Sequence, residues 1–154
     1  MHWMTVQMPY HLIWESPDTM RCHFFGRVDV ANLNDATNDF YNDSRSDRVT
    51  RALWDFSAMT QFAVDREHVS EIAFSDHAAS CYMKPMKAAF ITANPEFAEL
   101  ARLYIAEMEQ QGGDWSNRLF ASLDEARDWM ASPPEPGLRK VAGSREGEGS
   151  LSGR

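Results

Sequence analysis

The residues of this 154-residue chain best suited to chemistry are Asp55, Ser57 and the distant His77. A serine hydroxyl acts as a nucleophile only when a titratable base takes its proton within hydrogen-bond reach. A small hydrolase or isomerase using Asp55, Ser57 or His77 therefore requires the fold to bring those groups together. No GxSxG elbow, phosphate-binding glycine loop or dinucleotide glycine pattern accompanies them. The plainer role of Ser57 is a turn or capping hydroxyl.

Metal chemistry has less to build on. His77 and Cys81 stand four apart on one helix face and offer two ligands, whereas zinc needs three or four. No HExxH or CxxC occurs, so neither a metal nor a cofactor is expected. His11 and His23 fall on neighbouring strands, where they face each other as a structural pair. The acidic runs Asp65-Arg66-Glu67 and Asp124-Glu125 are charges that favour helix N-termini. Trp54, Phe56, Met59 and Phe62 form a more distinctive group. They lie just past a strand, where ligands of open α/β sheets sit, and can line an apolar pocket or a partner surface. The expected binding surface is Trp54 for apolar contact, Asp55 and Asn94 for polar orientation, and Ser57 as a hydroxyl open to phosphorylation.

These residues must be positioned by alternating strands and helices, and the boundaries carry their own chemistry. Residues 10–14 (YHLIW) and 20–28 (MRCHFFGRV), joined by Ser16-Pro17-Asp18, predict an antiparallel hairpin, with Gly26 marking a bulge or a close backbone approach. Residues 29–43 place Val30, Leu33, Thr37, Phe40 and Tyr41 on one helix face, capped by Asp29 or Asn32. A polar loop (44–48) leads to a strand at 49–55 and then to an irregular segment, 56–64, expected to be a loop with a helical turn. Asp65 caps a helix from 66 to about 82, in whose apolar stripe Asp76 is out of place. A strand at 86–92 precedes Asn94-Pro95-Glu96, a cap, a proline at the first helical position and an early acid, opening a helix to about 111. Gly112-Gly113 stops that helix. A last strand, 118–121, meets the capping box Ser122–Glu125 of a helix over 123–130.

Composition bounds the partners. A net charge of −8 repels phosphate backbones and anionic headgroups, so nucleic acid is not an expected partner. No apolar run reaches the ~20 residues that span a bilayer. Residues 1–7 resemble a loose arm rather than a signal peptide, and Met8 is a candidate start beside Met1. Residues 131–154, rich in Pro, Gly and Ser without an aromatic, are expected to be a disordered tail. Cys22 and Cys81 form no spaced pair and are expected to be reduced and partly buried, in a cytoplasmic protein.

Gly26-Arg27-Val28, Ala52-Leu53-Trp54-Asp55, Ala88–Ile91 followed by Asn94-Pro95, and the stretch from Arg118 to Trp129 together resemble the SpoIIAA-like group of the STAS superfamily (STAS/SEC14-type domains). The resemblance spans residues 8–130. It implies a non-enzymatic module for regulation, small apolar ligand binding or protein interaction. In the anti-anti-sigma branch, a serine after the third strand's aspartate begins a helix, and its phosphorylation controls partner binding. The usual pattern there is Asp-Ser-(Ser/Thr)-Gly, whereas this chain has Asp55-Phe56-Ser57-Ala58. The expectation is one α/β domain: a STAS-like mixed sheet of about five strands, hairpin first, with helices packed on it. A self-associating homodimer through an open edge strand is the structural alternative.

Overall fold

The computed structural model describes residues 8–133. The elements run β1 (Tyr10–Ser16), β2 (Thr19–Asp29), α1 (Val30–Asn42), a 3₁₀ turn (Ser44–Arg48), β3 (Arg51–Ala63), α2 (Arg66–Ser80), β4 (Lys87–Ile91), α3 (Pro95–Gln111), β5 (Ser116–Phe120) and α4 (Leu123–Ala131). The sheet order is β1-β2-β3-β4-β5, with β1 antiparallel to β2 and every later pair parallel. This is the expected mixed sheet, hairpin first. The expected arm and all of the expected tail beyond Pro133 lie outside the described residues. No helix among the described residues is long and apolar enough to cross a membrane.

The helix starts follow the cap chemistry. Asp29 accepts from Asn32 N, and the Asn32 side chain accepts in return from Asp29 N, each at 2.9 Å, so both candidate caps act together. Asp65 caps α2, and Asn94 caps α3 ahead of Pro95. Ser122 accepts from Glu125 N, while the Glu125 carboxylate reaches past the cap to Ala121 N at 3.2 Å. The last carbonyls of α4 are met by cations: Lys87 Nζ donates to Trp129 O at 2.9 Å and Arg51 Nε to Met130 O at 2.9 Å.

Period-two alternation along the strands divides the core between two faces. Leu53, Ala89 and Ile91 pack beneath Ala126, Trp129 and Met130 of α4. Ala52, Trp54 and Phe56 face the other way, into a larger core with Phe24 and Phe40. Cys22 is buried there, whereas Cys81 is exposed just past α2, contrary to the expected partial burial of both thiols. His11 and His23 do pair across the hairpin, and both stack on Phe25.

The expected loop over 56–64 is instead the second half of β3. It pairs with β2 as far as Asp29↔Ala63, well beyond the Asp55↔Ile91 pair where β4 ends. Two register shifts interrupt the β2–β3 ladder, at His23/Phe25 and Gly26/Arg27, and each places an extra residue in β3. Gly26 takes φ +66 at the second, a conformation that glycine adopts without strain. Phe56 is buried between Phe24 and Phe97, with ring centroids 4.4 and 4.7 Å away. Phe56→Ala should therefore cost about 3–5 kcal/mol. A urea titration checks this; a loss below about 1 kcal/mol would instead fit an exposed loop.

Candidate functional site

Between the sheet and the first three helices lies a cavity of about 80 Å³. Trp54, Phe56, Phe90, Phe97, Tyr104 and Trp115 supply its aromatic walls. α2 roofs it with Val69, Ile72 and Asp76, which recur on one helical face. The backbone of α2 lies close to α3 and stands off the sheet, which leaves room beneath it. The volume is well under the ~300–1,000 Å³ of drug-sized pockets, so only a small occupant fits.

Asp76 is the charged group in this apolar wall, and it is only 7% exposed. Its Oδ2 accepts from Tyr104 Oη at 2.6 Å, and its Oδ1 from Tyr41 Oη at 3.3 Å. The carboxylate thus ties α2 to both α1 and α3. Among the described residues no cation pairs with it. Burial pushes its pKa from 3.8 up to about 6, against the two tyrosine bonds, which pull it down. Burial likewise pushes both phenols well above their ordinary value, and the Asp76 charge adds to this.

Of the four residues expected to form one binding surface, the structure brings Asp55 and Ser57 together and turns Trp54 to the other face of the sheet. Trp54 lines the cavity and packs edge-on against Phe40 at 5.7 Å. Asp55, one residue on, points to the opposite face. There its Oδ1 accepts from Ser57 N at 3.0 Å and Ser57 Oγ at 2.6 Å. Its Oδ2 lies 3.5 Å from Arg21 Nη1 and 3.8 Å from His23 Nδ1. Arg21 Nε continues to Glu15 at 2.9 Å, and Arg127 of α4 grips Glu15 with both terminal nitrogens at 2.9 and 2.8 Å. Arg127, then Arg21, hold the Glu15 carboxyl down to about 2. This chain of charges fastens α4 to the hairpin. Asn94 sits at the start of α3, its side-chain oxygen taken by Glu96 N and Phe97 N.

Of the alternative enzymatic set, Asp55 and Ser57 stand within hydrogen-bond reach, whereas His77 lies on α2 and its Nδ1 has no hydrogen-bond partner among the described residues. The His77–Cys81 pair gathers no third ligand: no group of three or more His, Cys, Asp or Glu side chains suited to a metal occurs among the described residues. Asp76 was visible in the sequence only as the polar interruption of the α2 stripe. Tyr41 and Tyr104 read as members of apolar faces, and nothing local joins them to it.

No family model and no curated protein sequence matches the chain. Among solved structures, the unphosphorylated anti-sigma factor antagonist SpoIIAA aligns with a TM-score of 0.51 and 14% identity, over 80% of this chain and 99% of that one. The phosphorylated form of SpoIIAA, described as a Bacillus cell fate determinant, aligns with a TM-score of 0.51 and 13% identity, over 79% and 98%. The chain shares the fold of SpoIIAA. Ser57 does not begin a helix. The serine lies inside β3, and the next helix begins only at Arg66, so no helix N-terminus offers its N–H groups to a phosphate there. The expected helical donors are absent because β3 keeps pairing with the long β2.

Ionised Asp76 is the form that burial disfavours. Below its ordinary value of 3.8 the group is protonated whether the chain is folded or not, and the fold bears no penalty. As pH rises through about 6 the folded protein must ionise it, and stability falls by on the order of 3 kcal/mol. Asp76→Asn keeps the shape and an acceptor for Tyr104 but removes the titration. Denaturant titrations from pH 4 to 8 should show the wild type losing stability across this window relative to D76N. Parallel curves would contradict the burial assigned to the carboxylate.

Proposed function

We propose that this protein is a regulatory binding module of the STAS type, without catalysis of its own, whose cavity beneath α2 receives a small, largely apolar ligand. The observation that carries this reading is the aromatic cavity itself. Side chains from the sheet and from three helices converge on space that tighter packing could have filled. The neighbours in fold are named as anti-sigma factor antagonists, which supports a regulatory rather than a catalytic role.

Cyclobutanol, a small neutral apolar probe, should raise the melting temperature of the wild type. A ligand that binds only the native state stabilises it by mass action, by about 2.7 kcal/mol at a hundredfold excess over Kd. Ala101 is 7% exposed and lines the cavity. Ala101→Leu should fill the space and abolish the shift in a protein that still unfolds cooperatively. A shift that persists in A101L, or none in the wild type, would overturn the cavity as the binding site.

Ser57 supports a second reading, control by modification. It is exposed on β3, and its hydroxyl donates to the buried Asp55. A phosphate there replaces a donor by a dianion facing a carboxylate, a repulsion transmitted to the β2–β3 ladder. Ser57→Ala should cost about 1 kcal/mol and Ser57→Asp clearly more. If both variants unfold at the same urea concentration, Arg21 and His23 absorb the added charge, and Ser57 does not act through Asp55.

A further inference from the structure

An apolar cavity that only excluded water would be best lined throughout by hydrocarbon. This one contains an aspartate, and α2 places it on the same face as Val69 and Ile72. A carboxylate has roughly four acceptor sites. Asp76 uses one on each oxygen, for Tyr104 and for Tyr41. The remaining sites have no donor among the described residues. Trp54, Phe56, Phe90, Phe97 and Trp115 line the same cavity. A carboxylate within an aromatic enclosure is the arrangement that recognises an ammonium ion. The carboxylate takes the N–H donors, the ring faces stabilise the cation, and the walls cover the hydrocarbon.

We infer that the cavity selects a small hydrocarbon amine, protonated, with its ammonium group on the free acceptor sites of Asp76 and its carbon skeleton against the aromatic walls. This inference rests on the cavity being the ligand site and adds the chemical class of the occupant. It excludes carboxylic acids, including short acyl chains, whose charge would meet that of Asp76 in a medium of low dielectric. Neutral alcohols remain acceptable to the walls but make only ordinary hydrogen bonds to the carboxylate. Charge-assisted bonds are about twice as strong as neutral ones.

The groups facing Asp76 are Tyr41 from α1 and Tyr104 from α3, both phenols that stay protonated. The sheet presents Trp54 and Phe90, which do not titrate. Amine binding should therefore follow the ionisation of Asp76 alone, strengthening as pH rises through about 6.

The test compares cyclobutylamine, cyclobutanol and cyclobutanecarboxylate, which share one small ring and differ in head group, by calorimetric titration of the full chain. At pH 7.5 the amine should bind the wild type about tenfold more tightly than the alcohol, and the carboxylate should not bind. D76N should lose the preference for the amine while still binding the alcohol. In the wild type, amine affinity should fall by about tenfold between pH 7 and pH 5 while alcohol affinity stays level, a measurement that does not depend on D76N folding. Equal affinities for amine and alcohol, or an amine affinity unchanged by pH, would overturn the amine assignment and leave the apolar cavity standing. Asp76 would then serve only to tie three helices together. Failure of all three probes to bind would overturn the cavity reading and this inference together.

Discussion

The parallel pairing of β2 with β3 is the constraint from which both faces of the molecule follow. β2 spans Thr19–Asp29 and β3 Arg51–Ala63, while β4 is only Lys87–Ile91. β3 therefore runs on past its neighbour, and beyond Asp55 it has a strand on one side only. Rings fill the space that β4 leaves: Phe97, at the start of α3, packs against both Phe56 and Phe62. Alternation along the same strand sends Leu53 and Asp55 toward α4, and Trp54 and Phe56 toward the other helices. The cavity wall and the buried carboxylate of the charge chain thus lie back to back on one strand. A change of register by one residue would exchange them, placing an aspartate among rings and an indole among arginines.

The two buried aspartates solve the same problem differently. Asp55 accepts from Ser57 Oγ at 2.6 Å and lies 3.5 Å from Arg21 Nη1 and 3.8 Å from His23 Nδ1, all on its own sheet. Its charge is shared through Glu15 to Arg127, and the outcome is a joint between α4 and the hairpin. Asp76 has two phenols and no cation, so desolvation dominates and its pKa rises to about 6. Well-packed apolar residues often stabilise a fold as much as a buried charge does. What Asp76 adds is direction. Hydrogen bonds to α1 and α3 specify how α2 is rotated above a space that its other contacts leave open.

The sequence was legible wherever the chemistry is local. Asp29 with Asn32, Asp65, Asn94-Pro95 and Ser122 each announce a helix, because a cap bonds to an amide two or three residues away. Gly26 announced its bulge in the same manner, by its own conformational freedom. The second half of β3 was not legible. Its two extra residues break the period of two and leave Phe56, Met59 and Phe62 three apart, a spacing that reads as a helical turn. Once 56–64 is read as a loop, Trp54, Asp55, Ser57 and Asn94 fall together at a strand end. With the strand continuous, alternation turns Trp54 to one face and keeps Asp55 beside Ser57 on the other. The Asp76 cluster was illegible for another reason: its partners lie 35 and 28 residues away, on helices whose own patterns they satisfy as ordinary apolar members.

The shared fold with SpoIIAA bears on where control can enter this molecule. A modified serine at the start of a helix has backbone N–H groups and the helix dipole ready to receive its phosphate. Ser57 has neither, since its own N–H already serves Asp55 and the strand runs on to Ala63. A charge placed there can act only by repulsion within the β2–β3 ladder. The cavity offers a different lever. An occupant touches the sheet, α1, α2 and α3 at once, and it bears most on α2, the helix that stands off the sheet. Binding there stabilises α2 in place by whatever affinity the ligand has, and any surface that includes α2 is stabilised with it. Phe74, 70% exposed on α2, and Tyr82, 92% exposed just beyond it, are large apolar side chains on such a surface. The proposed ligand would therefore act through α2 rather than through a phosphate at a helix start.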